Sequence, residues 1–579
     1  MLLLAVSAAL AATVISSRDA PDSRVRAYVA PTRIVAADSR SLSESARELC
    51  LPRFGQVSEG RFLDGSGPVL EKGDWLILDF GRELHGSLQI GSGAKTGRSN
   101  RVRVRFGESV AETMAELVGS GEKATATNDH AIRDDYVLLP WLGRRTIGET
   151  GFRFVRIDNA GETSVQIEYV RAVSTMRPMA RLGSFKCSDE RLNAVWETAA
   201  RTVHLCCQDY IWDGIKRDRL VWMGDTHPET KAILAVFGEQ DIIPATLDYA
   251  AATTPPEEAW MNTISTYTLW WIRNLVEWYR FTGDRKYLEK HAGYLEKTVG
   301  HVLATIGDDG MWKADTFLDW PTQGDKAAAA AGTQGLLKLA LDDAAFLLGE
   351  LSNLANKGDA LRVSASLREI NSARALVSST RPDPRGVKTA AAMLALAKLR
   401  DPKEMFVSSL GLNGHSGVST FYGYYMLEAM GAAGETRRAL DTMRDYWGGM
   451  LDMGATSFWE DFDLDWMENS SPITRLPREG ERDIHGDFGN YCYRGFRHSL
   501  CHGWASGPCP FLSRHVLGIR VLESGMKRVR IEPHLGTLRF AEGSYPTPYG
   551  EINVRHVRTD DGRIETSVEA PDCIEIVMA

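Results

Sequence analysis

The chain has 579 residues and a mass of 64.1 kDa, more than one hydrophobic core holds, so about two to four domains are expected. With 44% hydrophobic and 25% charged residues and a formal net charge of −9, it reads as a globular chain, without the basic stripe that nucleic acid requires. Beyond residue 15 no apolar run reaches the roughly 18–20 residues of a membrane-spanning helix. Fifteen Trp are the unusual count; so many flat apolar rings point to carbohydrate as well as to core.

Leu2 to Ile15 is an apolar stretch followed by Ser16-Ser17-Arg18-Asp19. Its length suits the apolar part of a secretory signal, and Ala9-Leu10-Ala11 offers a small-x-small cleavage site, although no Lys or Arg precedes it. Residues 1–22 are therefore expected to be a signal segment, and the protein to be exported to the periplasm or beyond the cell.

Residues 23–180 read as a β-sandwich. "RVRVRFGESV" places Val102, Val104 and Phe106 on one face and arginines on the other, the period of a half-buried strand. "DWLILDFGRELHGSLQIG", "GFRFVRIDNAG" and "SVQIEYVRAVS" repeat the signal with turn residues between them, and no helix intervenes.

From 181 to 515 the period changes to that of helices. Ser188 is a plausible N-cap, and Leu192, Val195, Trp196, Ala199 and Val203 follow on one helix face. "STYTLWWIRNLVEWYRFTGD" ends at Gly283 and another helical segment begins at once. Roughly eleven or twelve helices in close pairs is the arithmetic of an (α/α)6 barrel, with an irregular bundle or a solenoid as alternatives. No fixed-period repeat is visible, which weighs against the solenoid. Strands return over 516–579 as a small C-terminal β region, expected to pack on the barrel.

Eight cysteines show no CxxC pair, so no structural metal is expected. In an exported chain, Cys492, Cys501 and Cys509 stand close enough for one local bridge. No GxSxG, P-loop or dinucleotide fingerprint occurs in a strand-to-helix context. Paired carboxylates are left as the chemistry with several candidates.

The densest polar cluster is Asp213-Gly-Ile-Lys-Arg217-Asp218-Arg219-Leu-Val-Trp222-Met-Gly224-Asp225, a loop by its glycines. A salt-bridged turn is the plain alternative. The second is Thr456-Ser-Phe-Trp459-Glu460-Asp461-Phe-Asp463, where a ring beside carboxylates suits a sugar; acidic residues opening a helix are the alternative. A third is Phe317-Leu-Asp319-Trp320-Pro321. The fourth, His498-Ser-Leu-Cys-His502-Gly-Trp504, lacks metal-ligand spacing, and His498 reads as structural.

In this order these features resemble the bacterial α-L-rhamnosidases of glycoside hydrolase family 78. The strings that carry the resemblance are "DFGRELHGSLQI", "DGIKRDRLVWMGD", "WYRFTGD", "FLDW", "FWEDFD", "SLCHGWASGP" and "IEPHLGTLRFAEGSYPTPYGEINVRH". The resemblance implies an (α/α)6 barrel flanked by an N-terminal β-sandwich and a small C-terminal β-sandwich domain, and a carbohydrate as the partner. It implies exo-acting, inverting hydrolysis of terminal α-L-rhamnose or a related deoxy sugar, with Asp218 as general acid and Glu460 as general base and with no metal or organic cofactor required. Asp213, Arg217, Trp222, Asp225, Asp319, Trp320, Trp459 and His502 match sugar-binding positions. The chain departs from the family's usual Arg-Asp-Glu-Arg by having Arg217-Asp218-Arg219, one residue shorter and without the Glu. An insertion around 465–497 carries Arg475, Arg478, Arg482 and His485, which would suit either a subsite for an acidic neighbouring sugar or a surface loop. Two other functions fit the same residues: a glycan-binding relative without turnover, and a hydrolase or lyase acting on a different sugar.

Overall fold

The computed structural model describes residues 22–51, 67–116, 133–257, 259–354, 357–491 and 493–579. The apolar stretch at 2–15 and Cys492 lie outside these residues; Cys501 and Cys509 are both buried free thiols.

The N-terminal region is built on eight described strands: β1 (Val25–Val29), β2 (Arg33–Ala37), β3 (Val69–Leu70), β4 (Trp75–Ser92), β5 (Ser99–Gly107), β6 (Asp134–Pro140), β7 (Arg144–Asn159) and β8 (Val165–Met176). They are hydrogen-bonded in the order β1-β8-β4-β7-β5-β6, with β2 on β4 and β3 on β8, and every pairing is antiparallel. The sequence predicts a sandwich; the bonding of the described strands is that of one curled sheet, because β4 and β8 each reach several partners along their length. The alternation works as its period requires: Val102, Val104 and Phe106 are buried in the sheet's core with Leu78, Phe80 and Phe152. Gly86 in β4 lies where a Cβ would sit 2.1 Å from the Val173 carbonyl oxygen, so only glycine lets β4 and β8 close here.

Helices dominate from Glu190 onward. Glu190–Cys206 buries Leu192, Val195, Trp196, Ala199 and Val203, the face expected. Its N-cap is Asp189, not Ser188: the Asp189 carboxylate accepts from the N–H groups of Arg191 and Leu192 at 2.9 and 3.3 Å, and a carboxylate suits a helix N-terminus. Ser265–Thr282 ends at Gly283, whose φ of 66° allows the left-handed turn, and Asp284 caps Arg285–Leu303 immediately after. Lys326–Leu354 packs against Ser265–Thr282, Lys357–Ser378 and Lys388–Leu396. No described helix is long and apolar enough to cross a membrane.

The C-terminal strands form a three-stranded sheet from Ile519–Glu523, Arg528–Ile531 and Glu575–Met578. A four-stranded sheet is made by Phe540–Thr547, Gly550–Arg558, Ile564–Glu569 and Lys186–Cys187. Val529, Ile531, Ala541, Ile552 and Val554 belong to the same apolar cluster as the helices. This region shares the helices' core, whereas the N-terminal sheet has a core of its own.

Candidate active site

A cavity of about 220 Å3 is lined by residues from five loops and from the start of the helix Ser265–Thr282. They include Asp213, Arg217, Asp218, Trp222 and Asp225 from the first, and Phe317, Asp319 and Trp320 from the second. The others supply Ser419, Thr420 and Phe421, then Glu460 and Asp461, then Tyr493, Arg497, His502 and Trp504. Segments far apart in sequence thus bring six carboxylates to one concavity.

The first loop is pinned at both ends of its turn. Asp213 and Leu220 exchange backbone and side-chain bonds, Asp213 N–H to the Leu220 carbonyl at 3.1 Å and Leu220 N–H to Asp213 Oδ1 at 2.9 Å. Gly503 N–H donates to the Asp213 carbonyl at 2.7 Å. Between these anchors Asp218 and Arg219 both have positive φ, 50° and 52°, a conformation costing roughly 1–3 kcal/mol for a non-glycine residue. Two consecutive left-handed residues make up the turn.

Arg217 is the centre of the site. Its guanidinium donates to Asp218 Oδ1 at 2.8 Å through Nη1, to Glu460 Oε1 through Nη2, and to the Arg497 carbonyl at 3.0 Å through Nε. One planar cation thus holds the two carboxylates the sequence singles out. Asp218 keeps 24% of its side chain exposed while Glu460 is buried. Glu460 is fixed further: Oε2 accepts from Ser499 N–H at 3.0 Å, and its backbone carbonyl accepts from Trp504 Nε1–H at 3.1 Å.

Burial alone would push the Glu460 carboxyl up, but Arg217, His502 and His498 outweigh it and hold it below the usual range, as an anion. Burial raises Asp225 to about 8, against the pull of His502, and raises Asp461 to about 7. Asp213 and Asp319 are also raised by burial. The His502 imidazole, Nε2 3.6 Å from both Asp213 Oδ2 and Glu460 Oε1 and 3.9 Å from Asp225 Oδ1, is disfavoured as a cation by burial, yet these carboxylates raise it overall. At neutral pH the cavity therefore offers an anionic Glu460 beside proton-bearing Asp225, an arrangement suited to acid–base work on hydroxyl-rich ligands.

The site is braced from outside by a buried ionic cluster. Lys216 Nζ lies 2.9 Å from Glu112 Oε1 and 3.2 Å from Glu108 Oε2, both just after β5, and donates to the His498 carbonyl at 2.9 Å. Glu108 also accepts from Leu500 N–H at 2.7 Å and from the Ser499 hydroxyl at 3.3 Å. Among the described residues, Glu108, Glu112 and His485 form the one group with cation-ligand spacing, and the Lys216 ammonium stands against all three.

Nine of the ten residues singled out in the sequence line the cavity. Trp459 does not: its indole is fully buried, edge-on to Phe462 and His498. His498 is buried and accepts from Asp461 N–H at 2.9 Å, a structural role. None of Arg475, Arg478, Arg482 and His485 lines it. Arg475 pairs with Glu481, Arg482 lies 3.8 Å over the Phe488 ring, and His485 is buried against Ser109. The same insertion does supply Tyr493 and Arg497. Sequence reasoning also passes over Tyr267, whose hydroxyl donates to Asp225 at 3.2 Å, and the stack of Phe421 on Trp504, 4.7 Å apart and 9° from parallel. Trp504 was signalled by its place beside His502; Tyr267 and Phe421 stand in aromatic-rich helix starts that carry no marker.

The raised Asp225 has a stability consequence. Between its unfolded value near 3.8 and its folded value of about 8, the folded state holds a proton the unfolded state has lost. Stability then falls as pH rises through that window. Asp225→Asn is expected to flatten this part of the curve of unfolding midpoint against pH, measured by thermal denaturation; an unchanged slope would show that Asp225 does not titrate in this way.

Comparison with known proteins adds the following. Residues 180–377 match the bacterial alpha-L-rhamnosidase six-hairpin glycosidase domain, and residues 518–576 match the bacterial alpha-L-rhamnosidase C-terminal domain. No curated protein matches the chain by sequence search. Among solved structures, a family 78 rhamnosidase of Bacillus sp. GL1 is 22% identical with a TM-score of 0.68, covering 93% of this chain and 55% of its own. A rhamnosidase from Klebsiella oxytoca with rhamnose bound is 19% identical with a TM-score of 0.63, covering 85% of this chain and 96% of its own. An alpha-L-rhamnosidase of Streptomyces avermitilis complexed with L-rhamnose is 17% identical with a TM-score of 0.66, covering 88% and 50%. The chain thus shares their fold while spanning about half the length of the Bacillus and Streptomyces proteins.

Proposed function

We propose that this chain, whose residues 180–377 and 518–576 match bacterial alpha-L-rhamnosidase domains, is an exo-acting, inverting glycoside hydrolase that releases terminal α-L-rhamnose or a related deoxy sugar from glycans. The observation that carries this reading is the single guanidinium of Arg217 bonded to both Asp218 and Glu460 inside a cavity sized for one sugar ring. The finer architecture that goes with it is an (α/α)6 barrel between the N-terminal curled sheet and the C-terminal strands.

In this mechanism Glu460, kept anionic by Arg217 and His502, takes a proton from water as the water attacks the anomeric carbon. Asp218 protonates the glycosidic oxygen as the bond from that carbon breaks, and its partial exposure lets it reload from solvent. The sugar leaves with inverted configuration, as a water seated between the two carboxyls requires. Asp225, Asp213, Asp319 and His502 hold hydroxyls, with proton-bearing Asp225 as a donor. The indole of Trp222 closes one wall.

Proton NMR of the first product tests the stereochemistry: the β anomer is expected first, and initial α anomer would contradict inversion. Asp218→Asn tests the acid. An alkyl rhamnoside, whose leaving alkoxide needs a proton, is expected to lose about a hundredfold in kcat. A p-nitrophenyl rhamnoside should lose much less, since its phenolate departs unaided; equal losses would contradict the role. The shortened acid motif favours one second reading, a glycan-binding relative without turnover, in which sugar binds by calorimetry and no glycoside is cleaved.

A further inference from the structure

The N-terminal sheet has a core of its own and lies outside the matched residues 180–377 and 518–576. One of its side chains nevertheless reaches within a single peptide of Glu460. Glu108 directly follows β5, is completely buried, and does not line the cavity. Its Oε2 accepts from Leu500 N–H at 2.7 Å and its Oε1 from the Ser499 hydroxyl at 3.3 Å. Leu500 is buried, so its N–H needs an acceptor, and Glu108 supplies it. Ser499 in turn bonds Glu460 twice: its N–H donates to Glu460 Oε2 at 3.0 Å, and its carbonyl accepts from Glu460 N–H at 2.9 Å. Successive N–H groups thus go to opposite partners, Ser499 to Glu460 and Leu500 to Glu108. The backbone that orients the Glu460 carboxylate is clamped on its other side by a carboxylate of the sheet.

Glu108 is itself firmly held. Its N–H donates to Glu112 Oε2 at 2.7 Å, and the Ser109 hydroxyl accepts from Glu112 N–H at 3.1 Å to cap the helix Val110–Met114. Gly107 permits the tight turn, since a Cβ there would meet the Ser109 carbonyl oxygen at 2.5 Å. Lys216 Nζ, 3.2 Å from Glu108 Oε2, ties the same carboxylate to the residue before Arg217, whose guanidinium bonds the other oxygen of Glu460. The sheet also grips the segment that leads to Glu460. Glu83 N–H donates to the Thr456 hydroxyl at 2.8 Å, and Arg153 Nη1 to the Gly454 carbonyl at 2.9 Å.

We propose that Glu108 is a positioning residue for Glu460, which makes the N-terminal sheet part of the active site. Glu108 touches no substrate; it acts through the Ser499–Leu500 peptide. A shift of about 1 Å in that peptide takes the Glu460 carboxylate off the line of the attacking water, and a misplacement of that size costs up to about a hundredfold in rate. The proposal rests on the reading of Glu460 as general base and goes beyond it by giving the sheet a part in the reaction.

The test separates reach from charge. Glu108→Asp keeps the negative charge near Lys216 but withdraws the carboxylate by about 1.5 Å, one carbon–carbon bond, out of reach of Leu500 N–H. Glu108→Gln loses the charge and keeps the reach, with its amide oxygen for Leu500 N–H and its NH2 group for the Ser499 hydroxyl. On a rhamnoside, Glu108→Asp is expected to lower kcat about ten- to a hundredfold with KM within about twofold of wild type. Glu108→Gln should stay within about threefold in kcat. Thermal unfolding should rank the two the other way, because the Gln variant leaves buried Lys216 with one carboxylate fewer. A merely structural role makes kcat follow stability, so a kcat for Gln at or below that for Asp, or no loss in either, overturns the proposal. Should Glu108→Gln not fold, Glu108→Gln with Lys216→Met removes both charges together and is expected to keep kcat within about threefold of wild type; a loss as large as that of Glu108→Asp overturns it. If the wild type cleaves no rhamnoside the hydrolase reading fails, and crystal structures decide the positioning. A Glu460 carboxylate displaced by about 1 Å in Glu108→Asp supports it, and one left in place overturns it.

Discussion

Glu460→Gln is expected to lower kcat on a rhamnoside at least about a hundredfold with little change in KM. The side chain keeps its shape, so Ser499 N–H still finds an acceptor and the cavity keeps its lining. What disappears is the negative charge that Arg217, His502 and His498 hold on this carboxyl against burial, and with it the base that takes the proton from water. Arg217 keeps its second partner, Asp218, which limits the cost to folding. Steady-state kinetics with an unfolding curve for the same variant checks both halves. Near-normal turnover would remove Glu460 from the reaction, and a collapsed fold would make it structural.

Lys216→Met is expected to be the most destabilising of the changes discussed, by about 3–5 kcal/mol, the cost of stripping the partner from a buried charge. The ammonium is completely buried between Glu108 and Glu112. Burial pushes Glu112 up, yet Arg133 and Lys216 together hold it down to about 2. Removing one of those cations leaves a buried carboxylate under-compensated, and methionine fills the space without replacing the charge. The cluster joins the strand β5 region to the loop carrying Arg217 and to the segment carrying Ser499, so its loss loosens the sheet against the site. Denaturant unfolding followed by tryptophan fluorescence should show an earlier transition; an unchanged curve would mean the cluster contributes specificity of packing and no net stability.

The fold was legible wherever one period dominates. Val102, Val104 and Phe106 alternate because one face of β5 is buried, and the Leu192–Val203 stripe marks its helix because 3.6 residues per turn leaves little choice. Whether β4 and β8 close one curled sheet or divide between two is decided by long-range pairing, which no local pattern carries. The site was legible where chemistry crowds a short segment, as in Asp213–Asp225 and the residues around Glu460. Trp459 sits beside Glu460 in sequence, as a stacking platform would, but its indole is buried in the core against Phe462 and His498. The arginines of the insertion looked like a subsite by charge alone. Arg475 is spent on Glu481, and the insertion meets the cavity through Tyr493 and Arg497, residues whose role depends on the course of the loop.

The measurement that bears most directly on this account is hydrolysis of p-nitrophenyl α-L-rhamnoside by the wild-type chain, run beside other p-nitrophenyl glycosides and beside Glu460→Gln. The account predicts that the rhamnoside is cleaved in preference to the others and that Glu460→Gln abolishes its cleavage. An intact rhamnoside, with L-rhamnose bound in the cavity by calorimetry, would contradict it and identify a binding protein.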